Sequence, residues 1–193
     1  MTPEREKKIK TVIARRQEGI IVLEDIHDPH NAAAVMRSCD AFGFQKVCFI
    51  TEKEKRFNPR RVGKLSSASA SKWLDLEYFK STKLCIRSLK ARGFHIIATA
   101  LDEKATALSK LDLTRPKIAL MFGNEHRGLS KEALKLAHET VYMPMVGFVQ
   151  SLNLSVTAAI LLYETVRQRS QKKAKKSYFL SKKAQNRLLK SWT

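Results

Sequence analysis

The stretch KIALMFGNEHRGLSKEALKLA (117–137) decides the fold, because it joins a strand, a glycine turn and a helix. IALMF is a short continuous apolar run, which is typical of a strand buried on both faces. In the segment that follows, Ser130 stands where a helix N-cap is expected, and Glu132 falls in the first turn. Gly123 and Gly128 permit a tight turn between the two elements. The stretch therefore predicts one strand-turn-helix unit of an α/β sheet.

The same alternation of strand and helix runs through the rest of the chain. Short apolar or β-branched runs predict strands at 20–25, 46–50, 94–100, 117–122 and 140–144. Helical patterns lie near 30–43, 81–92, 130–138 and 152–169, with terminal helices at about 3–18 and about 181–191. We predict a mainly parallel α/β sheet flanked by helices. Its expected parts are a basic N-terminal helix (1–18), a central domain (19–169) and a basic C-terminal tail and helix (170–193).

The charge of the chain is concentrated at its two ends. There are 37 Lys and Arg against 18 Asp and Glu, a net charge of +19, in 193 residues. Residues 1–16 carry six basic and two acidic side chains, and residues 167–193 carry ten basic and no acidic ones. This pattern favours a nucleic-acid partner, because neutralised phosphates supply affinity without reading sequence. A solubilising tail is the alternative, although Tyr178, Phe179 and Trp192 indicate that part of the tail folds back.

Composition also limits the class of protein. No apolar stretch is long enough to cross a bilayer, and the N-terminus lacks the apolar region of a secretory signal. The isolated Cys39, Cys48 and Cys85 are expected to be small buried hydrophobes rather than disulfides or metal ligands. We expect one soluble cytoplasmic domain with no membrane association and no metal.

Polar residues follow three of the predicted strands, where ligands gather in parallel sheets. Asn31 is either a helix N-cap or a functional residue. Arg37 has small helical neighbours, and it is either paired with Asp40 at i+3 or part of a site. The turn after 117–122 is not a phosphate-cradling loop, because it lacks the GK[ST] ending and Glu125 would repel phosphate.

The last of these segments begins a helix that is apolar almost all round from Leu152 to Tyr163, so we expect that helix to be buried. Its start is nevertheless polar, and the polar side chains are Gln150, Ser151, Asn153 and Ser155. Capping by Ser151 explains one of them, whereas a small-molecule site explains all four.

Three segments together resemble one family of RNA-modifying enzymes. They are NAAAVMRSCDAFG (31–43), IALMFGNEHRGLS (118–130) and MPMVGFVQSLNLSVTAAILLYE (143–164). In this order they resemble the motifs of the SpoU branch of the SPOUT RNA 2′-O-ribose methyltransferases. His126 and Arg127 stand where that family often has small or aromatic residues.

The resemblance implies a deep C-terminal trefoil knot, a homodimer and S-adenosylmethionine as the cofactor. It implies methyl transfer to the ribose 2′-OH of a guanosine in the tRNA D-loop. Ribosomal RNA ribose methylation and a non-catalytic RNA-binding protein are the alternatives. Relatives that act on ribosomal RNA commonly have a separate N-terminal RNA-binding domain, and we expect none in this protein.

The resemblance also implies roles for individual residues. The catalytic and substrate-placing positions are Asn31, Arg37, Glu125, Ser151 and Asn153. The cofactor-binding positions are Thr99, Ala100, Leu101, Gly123, Asn124, Met143 and Leu152. From their charge, the expected RNA-binding residues are Lys55, Arg56, Arg60, Arg61, Lys64, Lys172, Lys173, Lys175 and Lys176.

Overall fold

A computed structural model describes residues 1–59, 70–102, 104–172 and 178–193. These residues form a seven-stranded sheet in the order β3-β2-β1-β6-β4-β7-β5, and every neighbouring pair is parallel. The strands are β1 (Gln17–Glu24), β2 (Phe44–Ile50), β3 (Asp75–Phe79), β4 (His95–Thr99), β5 (Thr106–Ala107), β6 (Ile118–Phe122) and β7 (Glu139–Tyr142).

Helices cover both faces of this sheet. Within the described residues they are α1 (Pro3–Ala14), α2 (Pro29–Ala41), α3 (Thr82–Ala91), α4 (Lys131–Leu136), α5 (Leu154–Gln171) and α6 (Lys182–Trp192). α2 and α5 pack on one face with Ile21 and Leu23 of β1, while α3 and α4 pack on the other with Ile20 and Val22. Consecutive residues of β1 are therefore all buried, which is why the central strands are continuous apolar runs.

Most of the predicted elements are confirmed. The α/β class, the parallel sheet and the two helical extensions are present, and Cys39, Cys48 and Cys85 are fully buried. β3 and β5 were not predicted. The sequence of β3, DLEYF, has no apolar run, because each residue of this strand is only half-buried. β5 is only two residues long, which is too short to give a pattern. The knot stays a prediction.

One expectation about α5 is wrong. Its apolar surface is not fully buried, because Val156, Ile160 and Tyr163 are 45%, 36% and 56% exposed. Ala158, Leu161 and Leu162 face the core instead. Because α5 is apolar on nearly every side, its apolar surface is larger than the area that one face of the sheet covers.

The two ends of the chain pack against each other. Ile9 and Ile13 of α1 form a buried cluster with Leu180 and Leu188, the latter in α6. The rings of Trp192 and Trp73 pack in a T-shaped arrangement with centroids 4.9 Å apart, so the tail folds back as its aromatic residues predicted. No helix among the described residues is both long and apolar enough to span a membrane.

Arg169 fastens the end of α5 to the amino ends of the central strands. Its buried guanidinium donates to the side chain of Gln17 and to the carbonyl oxygens of Glu18, Arg115 and Pro116 at 2.7–3.1 Å. Burial lowers the pKa of Arg169 to about 10, so the group remains charged at neutral pH. One side chain thereby satisfies four acceptors where the start of β1 lies beside the segment that precedes β6.

We expect Arg169→Ala to lower the free energy of unfolding by about 3 kcal/mol, because it leaves buried acceptors without a donor. Urea denaturation measures the change. Arg167→Ala, two residues away on the exposed side of α5, should leave the free energy of unfolding unchanged. Equal stability of the two variants would contradict the assigned role.

Candidate active site

A cavity of about 500 Å³ opens at the carboxyl ends of β4, β6 and β7. Its wall contains every residue that the sequence suggested for the cofactor: Thr99, Ala100, Leu101, Gly123, Asn124, Met143 and Leu152. It also contains four of the five residues suggested for catalysis: Asn31, Glu125, Ser151 and Asn153. The folded chain therefore brings four separate parts of the sequence to one concave site.

The turn after β6 requires both of its glycines. A Cβ on Gly123 would lie 2.2 Å from the backbone of Gly128 and Leu129, and Gly128 has a φ of +66°. Asn124 and Gly128 exchange two backbone hydrogen bonds of 3.1 and 2.8 Å. The buried Asn124 side chain also accepts from the backbone N–H groups of His126 and Arg127 at 2.9 and 3.1 Å. The turn is thus a fixed platform for the side chains that it carries.

Glu125 lies at the centre of a hydrogen-bond chain across the site. One carboxylate oxygen accepts from the Asn31 side chain at 2.9 Å and from the Asp28 N–H at 3.2 Å, and the other accepts from the His27 N–H at 2.9 Å. Asn153 Nδ2 donates to Asn31 Oδ1 at 3.0 Å. The chain Glu125–Asn31–Asn153 fixes the orientation of both amides.

The same donors determine the charge of Glu125. Burial alone would raise its pKa, but the hydrogen bonds from Asn31, His27 and Asp28 outweigh burial, so the pKa is lowered from its ordinary value of 4.5. Glu125 is therefore an anion at neutral pH that accepts hydrogen bonds, and it is not a proton donor.

The structure corrects two ideas about helix capping. Asp28, and not Asn31, caps α2, because its side chain accepts from the His30 N–H. Asn153, and not Ser151, caps α5, because its side chain accepts from the Ser155 N–H. Asn31 is thereby available to Glu125, while Asn153 serves as both a cap and a partner of Asn31.

Arg37 lies apart from the cavity. It lines a neighbouring groove between α2 and α5, together with Ser155, Ile160 and Tyr163. Asp40, which the sequence offered as its partner, forms a 2.6 Å ion pair with the buried Arg16. In one copy of the chain, Arg37 and the cofactor cavity are therefore separate features.

Sequence reasoning missed two carboxylates that hold the site together. Buried Glu24 accepts from the hydroxyl groups of Thr82 and Ser130 and from the Ser130 N–H, which fastens the N-cap of α4 to β1. Asp25, with a φ of 49°, accepts from the backbone N–H groups of residues 52–54 at 2.8–3.2 Å. Acidic residues at the end of an apolar strand were the signal in the sequence for both.

The expected RNA-binding residues are only partly within the described residues. Lys55 and Arg56 are exposed, and the Arg56 guanidinium stacks over Tyr78 at 4.1 Å. Lys172 is exposed at the end of α5. Arg60, Arg61, Lys64, Lys173, Lys175 and Lys176 lie outside the described residues.

Comparison with known proteins agrees with the site. The model of the SpoU rRNA Methylase family matches residues 18–163, which include all three motif segments apart from the final Glu164. The chain belongs to this family. The family resemblance inferred from the motifs is confirmed.

Two relatives of this SpoU chain extend over nearly its whole length. A tRNA (guanosine(18)-2'-O)-methyltransferase of Thermus thermophilus is 40% identical over 171 residues, which cover 87% of this chain and 84% of the relative. The crystal structure of the TrmH/SpoU tRNA modifying enzyme of Aquifex aeolicus superposes with a TM-score of 0.85 at 31% identity, covering 98% of this chain and 94% of that one.

A third relative bears on the cofactor. The SpoU methyltransferase AviRb of Streptomyces viridochromogenes, solved in complex with AdoMet, superposes with a TM-score of 0.69 at 27% identity. The alignment covers 83% of this chain and 62% of AviRb.

Proposed function

We propose that this protein is an S-adenosylmethionine-dependent methyltransferase that modifies the ribose 2′-OH of guanosine 18 in the D-loop of tRNA. Similarity over most of the chain to enzymes named tRNA (guanosine(18)-2'-O)-methyltransferase supports this substrate. The observation that carries the proposal is the Glu125–Asn31–Asn153 chain in the wall of the cavity, because it joins all three family motifs at one place. With tRNA as the substrate, the proposed location is the cytoplasm.

The cavity fits the proposed cofactor in size and chemistry. A volume of about 500 Å³ is in the range of small-molecule sites, which are mainly apolar with a few polar groups. Leu101, Met143 and Leu152 supply apolar walls, and the turn 123–128 supplies backbone groups. When bound, S-adenosylmethionine supplies a methyl group already activated by its sulfonium, so the protein's task is to orient the accepting hydroxyl.

The residues then have distinct roles. Asn31 and Asn153, held by Glu125, are proposed to place the ribose, while Ser151 lines the same wall. Arg37 is proposed to position the 2′-OH with its adjacent phosphate and to stabilise the developing alkoxide. A guanidinium with a pKa above about 12 is a poor general base, so positioning is the role assigned to Arg37.

Analysis of the reaction product tests the proposed function. A tRNA transcript is incubated with the protein and S-adenosylmethionine labelled in the methyl group, and the RNA is digested to nucleosides. We expect one labelled product, 2′-O-methylguanosine. Labelled base, or transfer to ribosomal RNA fragments but to no tRNA, would contradict the proposal.

We also propose that the active form is a homodimer in which a second copy covers the exposed face of α5. This face presents Val156, Ile160 and Tyr163 beside the groove that contains Arg37. An apolar helix face of this kind marks a protein contact. A second copy at this groove would also contact Arg37, which does not line the cavity of its own chain.

Ile160→Glu should convert the dimer to a monomer and reduce methyl transfer at least about tenfold, because it places a charge in an apolar contact. Analytical ultracentrifugation and the methyl-transfer assay measure both effects. Leu84→Glu introduces the same charge at an exposed leucine of α3 and should change neither. A fully active monomer of the unmodified protein would contradict dimerisation.

The basic tail is proposed to bind the tRNA backbone. Replacing Lys172, Lys173, Lys175 and Lys176 with Gln should weaken binding about equally for all tRNAs. It should also flatten the plot of log affinity against log salt by about one unit for each phosphate that the variant no longer neutralises. Filter binding at several salt concentrations measures both. A variant with the original slope would show that this run binds no phosphate.

A further inference from the structure

An ion pair stands at the mouth of the cavity and joins two segments with different expected roles. Arg127 Nη2, on the turn after β6, donates to Glu54 Oε1 at 2.8 Å. Glu54 follows β2 and directly precedes Lys55 and Arg56, and its other oxygen lies 3.5 Å from His27 Nδ1. Arg127 also lines the cavity, where the His126 ring meets the His27 ring with centroids 5.5 Å apart.

Both members of this pair are carried by fixed backbone. The Arg127 N–H donates to the buried Asn124 side chain, inside the glycine turn. The Glu54 N–H donates to Asp25, as do the N–H groups of residues 52 and 53. The backbone positions of both residues are therefore determined by the fold, and only their side chains are able to exchange partners.

Glu54 lies among basic residues that the sequence predicts to bind RNA. Its sequence neighbours are Lys53, Lys55 and Arg56, and the other nearby carboxylate, Glu52, already accepts a hydrogen bond from the Thr82 N–H. The Arg127 hydrogen bond is the main reason that the pKa of Glu54 is lowered, and thus Glu54 remains an anion. Arg127 is 51% exposed, and exposed pairs of this kind contribute little to stability.

We propose that Arg127 is a phosphate-binding residue for the RNA strand that enters the cavity, and that Glu54 occupies its guanidinium until a phosphate replaces it. The inference rests on the proposed function, because it assumes an RNA substrate. A guanidinium binds carboxylate and phosphate through the same planar fork, so the exchange requires no new geometry. An RNA phosphate therefore binds Arg127 only where it displaces the Glu54 carboxylate at the mouth of the cavity.

Opposite effects on affinity are expected from the two partners. Arg127→Gln should weaken binding of a tRNA transcript about tenfold and reduce the salt slope by about one unit, since it removes one charged hydrogen bond to phosphate. Glu54→Gln should tighten binding about threefold, because the guanidinium no longer has a competing anion. The double variant should bind like Arg127→Gln alone, because Glu54 acts through Arg127.

A matched pair of variants separates this effect from a change in net charge. Arg92 and Glu77 form a partly exposed ion pair with two bonds of 2.8 and 3.3 Å, and Arg92 precedes the amino end of β4, opposite the cavity. Arg92→Gln and Glu77→Gln should each change tRNA affinity less than about twofold. Circular dichroism checks the fold of every variant.

The outcomes distinguish the inference from the proposed function. If the unmodified protein neither binds nor methylates tRNA, the proposed function fails. If it does both but Arg127→Gln keeps the original affinity and slope, the phosphate site is wrong. If Glu54→Gln still tightens tRNA binding in the Arg127→Gln background, the inference is also overturned. The effect would then come from the change in net charge and not from an exchange of partners at Arg127. Should Arg127→Gln fail to fold, unchanged affinity in Glu54→Gln alone is sufficient to overturn it.

Discussion

Arg37→Ala is expected to reduce the turnover number for tRNA methylation about a thousandfold, while the affinity for S-adenosylmethionine changes less than about twofold. The first effect follows from removal of the charge that stabilises the developing alkoxide. The second follows because Arg37 lines the α2–α5 groove and is not part of the cavity wall. Single-turnover kinetics and equilibrium dialysis measure the two quantities separately.

Arg37→Lys should fail as well, since a single ammonium does not replace the planar fork of a guanidinium. Arg87→Ala is the matched control, because Arg87 is an exposed arginine of α3. Its turnover should equal that of the unmodified protein. Normal turnover in Arg37→Lys would show that Arg37 acts only as a point charge.

Glu125→Gln is expected to reduce turnover about a hundredfold. The carboxylate accepts from the side chain of Asn31 and from two backbone N–H groups, whereas a glutamine must present an NH₂ group to one of these donors. Asn31 then loses its orientation, and Asn153 no longer has a fixed acceptor. Glu132→Gln removes the same charge from the exposed first turn of α4 and should leave turnover unchanged.

The pH dependence follows from the sign of the Glu125 shift. Because the pKa of Glu125 is lowered below 4.5, the ionised network contributes its full stability above that pH. This stability is lost as the pH falls through the pKa of Glu125 in the folded protein. Proton uptake at Glu125 should therefore not limit cofactor binding at pH 5 to 7 in titration calorimetry. A break in affinity in that interval that disappears in Glu125→Gln would contradict the network.

The sequence predicted the parts of this protein that follow from local rules. Apolar runs located the central strands, and Ser130 was correctly expected as a helix cap. The helix caps of α2 and α5 were not resolved, because Asn31 and Asn153 are chemically suited both to capping and to the long-range bonds that they make.

Other features depend on interactions between distant residues. Arg16 takes Asp40 as its partner across 24 positions, and Glu24 meets Ser130 across 106. No periodicity encodes such pairs. The cavity was predicted because the resemblance supplied the three segments, but the separation of Arg37 from it depends on how α2 packs against α5.

The central claim is that the accepting atom is the 2′-oxygen of guanosine 18. Two tRNA molecules of identical sequence test it directly, one entirely ribose and the other with 2′-deoxyguanosine at that position alone. With the protein and labelled S-adenosylmethionine, the first should accept one methyl group per molecule and the second none, although both should bind with similar affinity. Equal labelling of the two molecules would contradict the account.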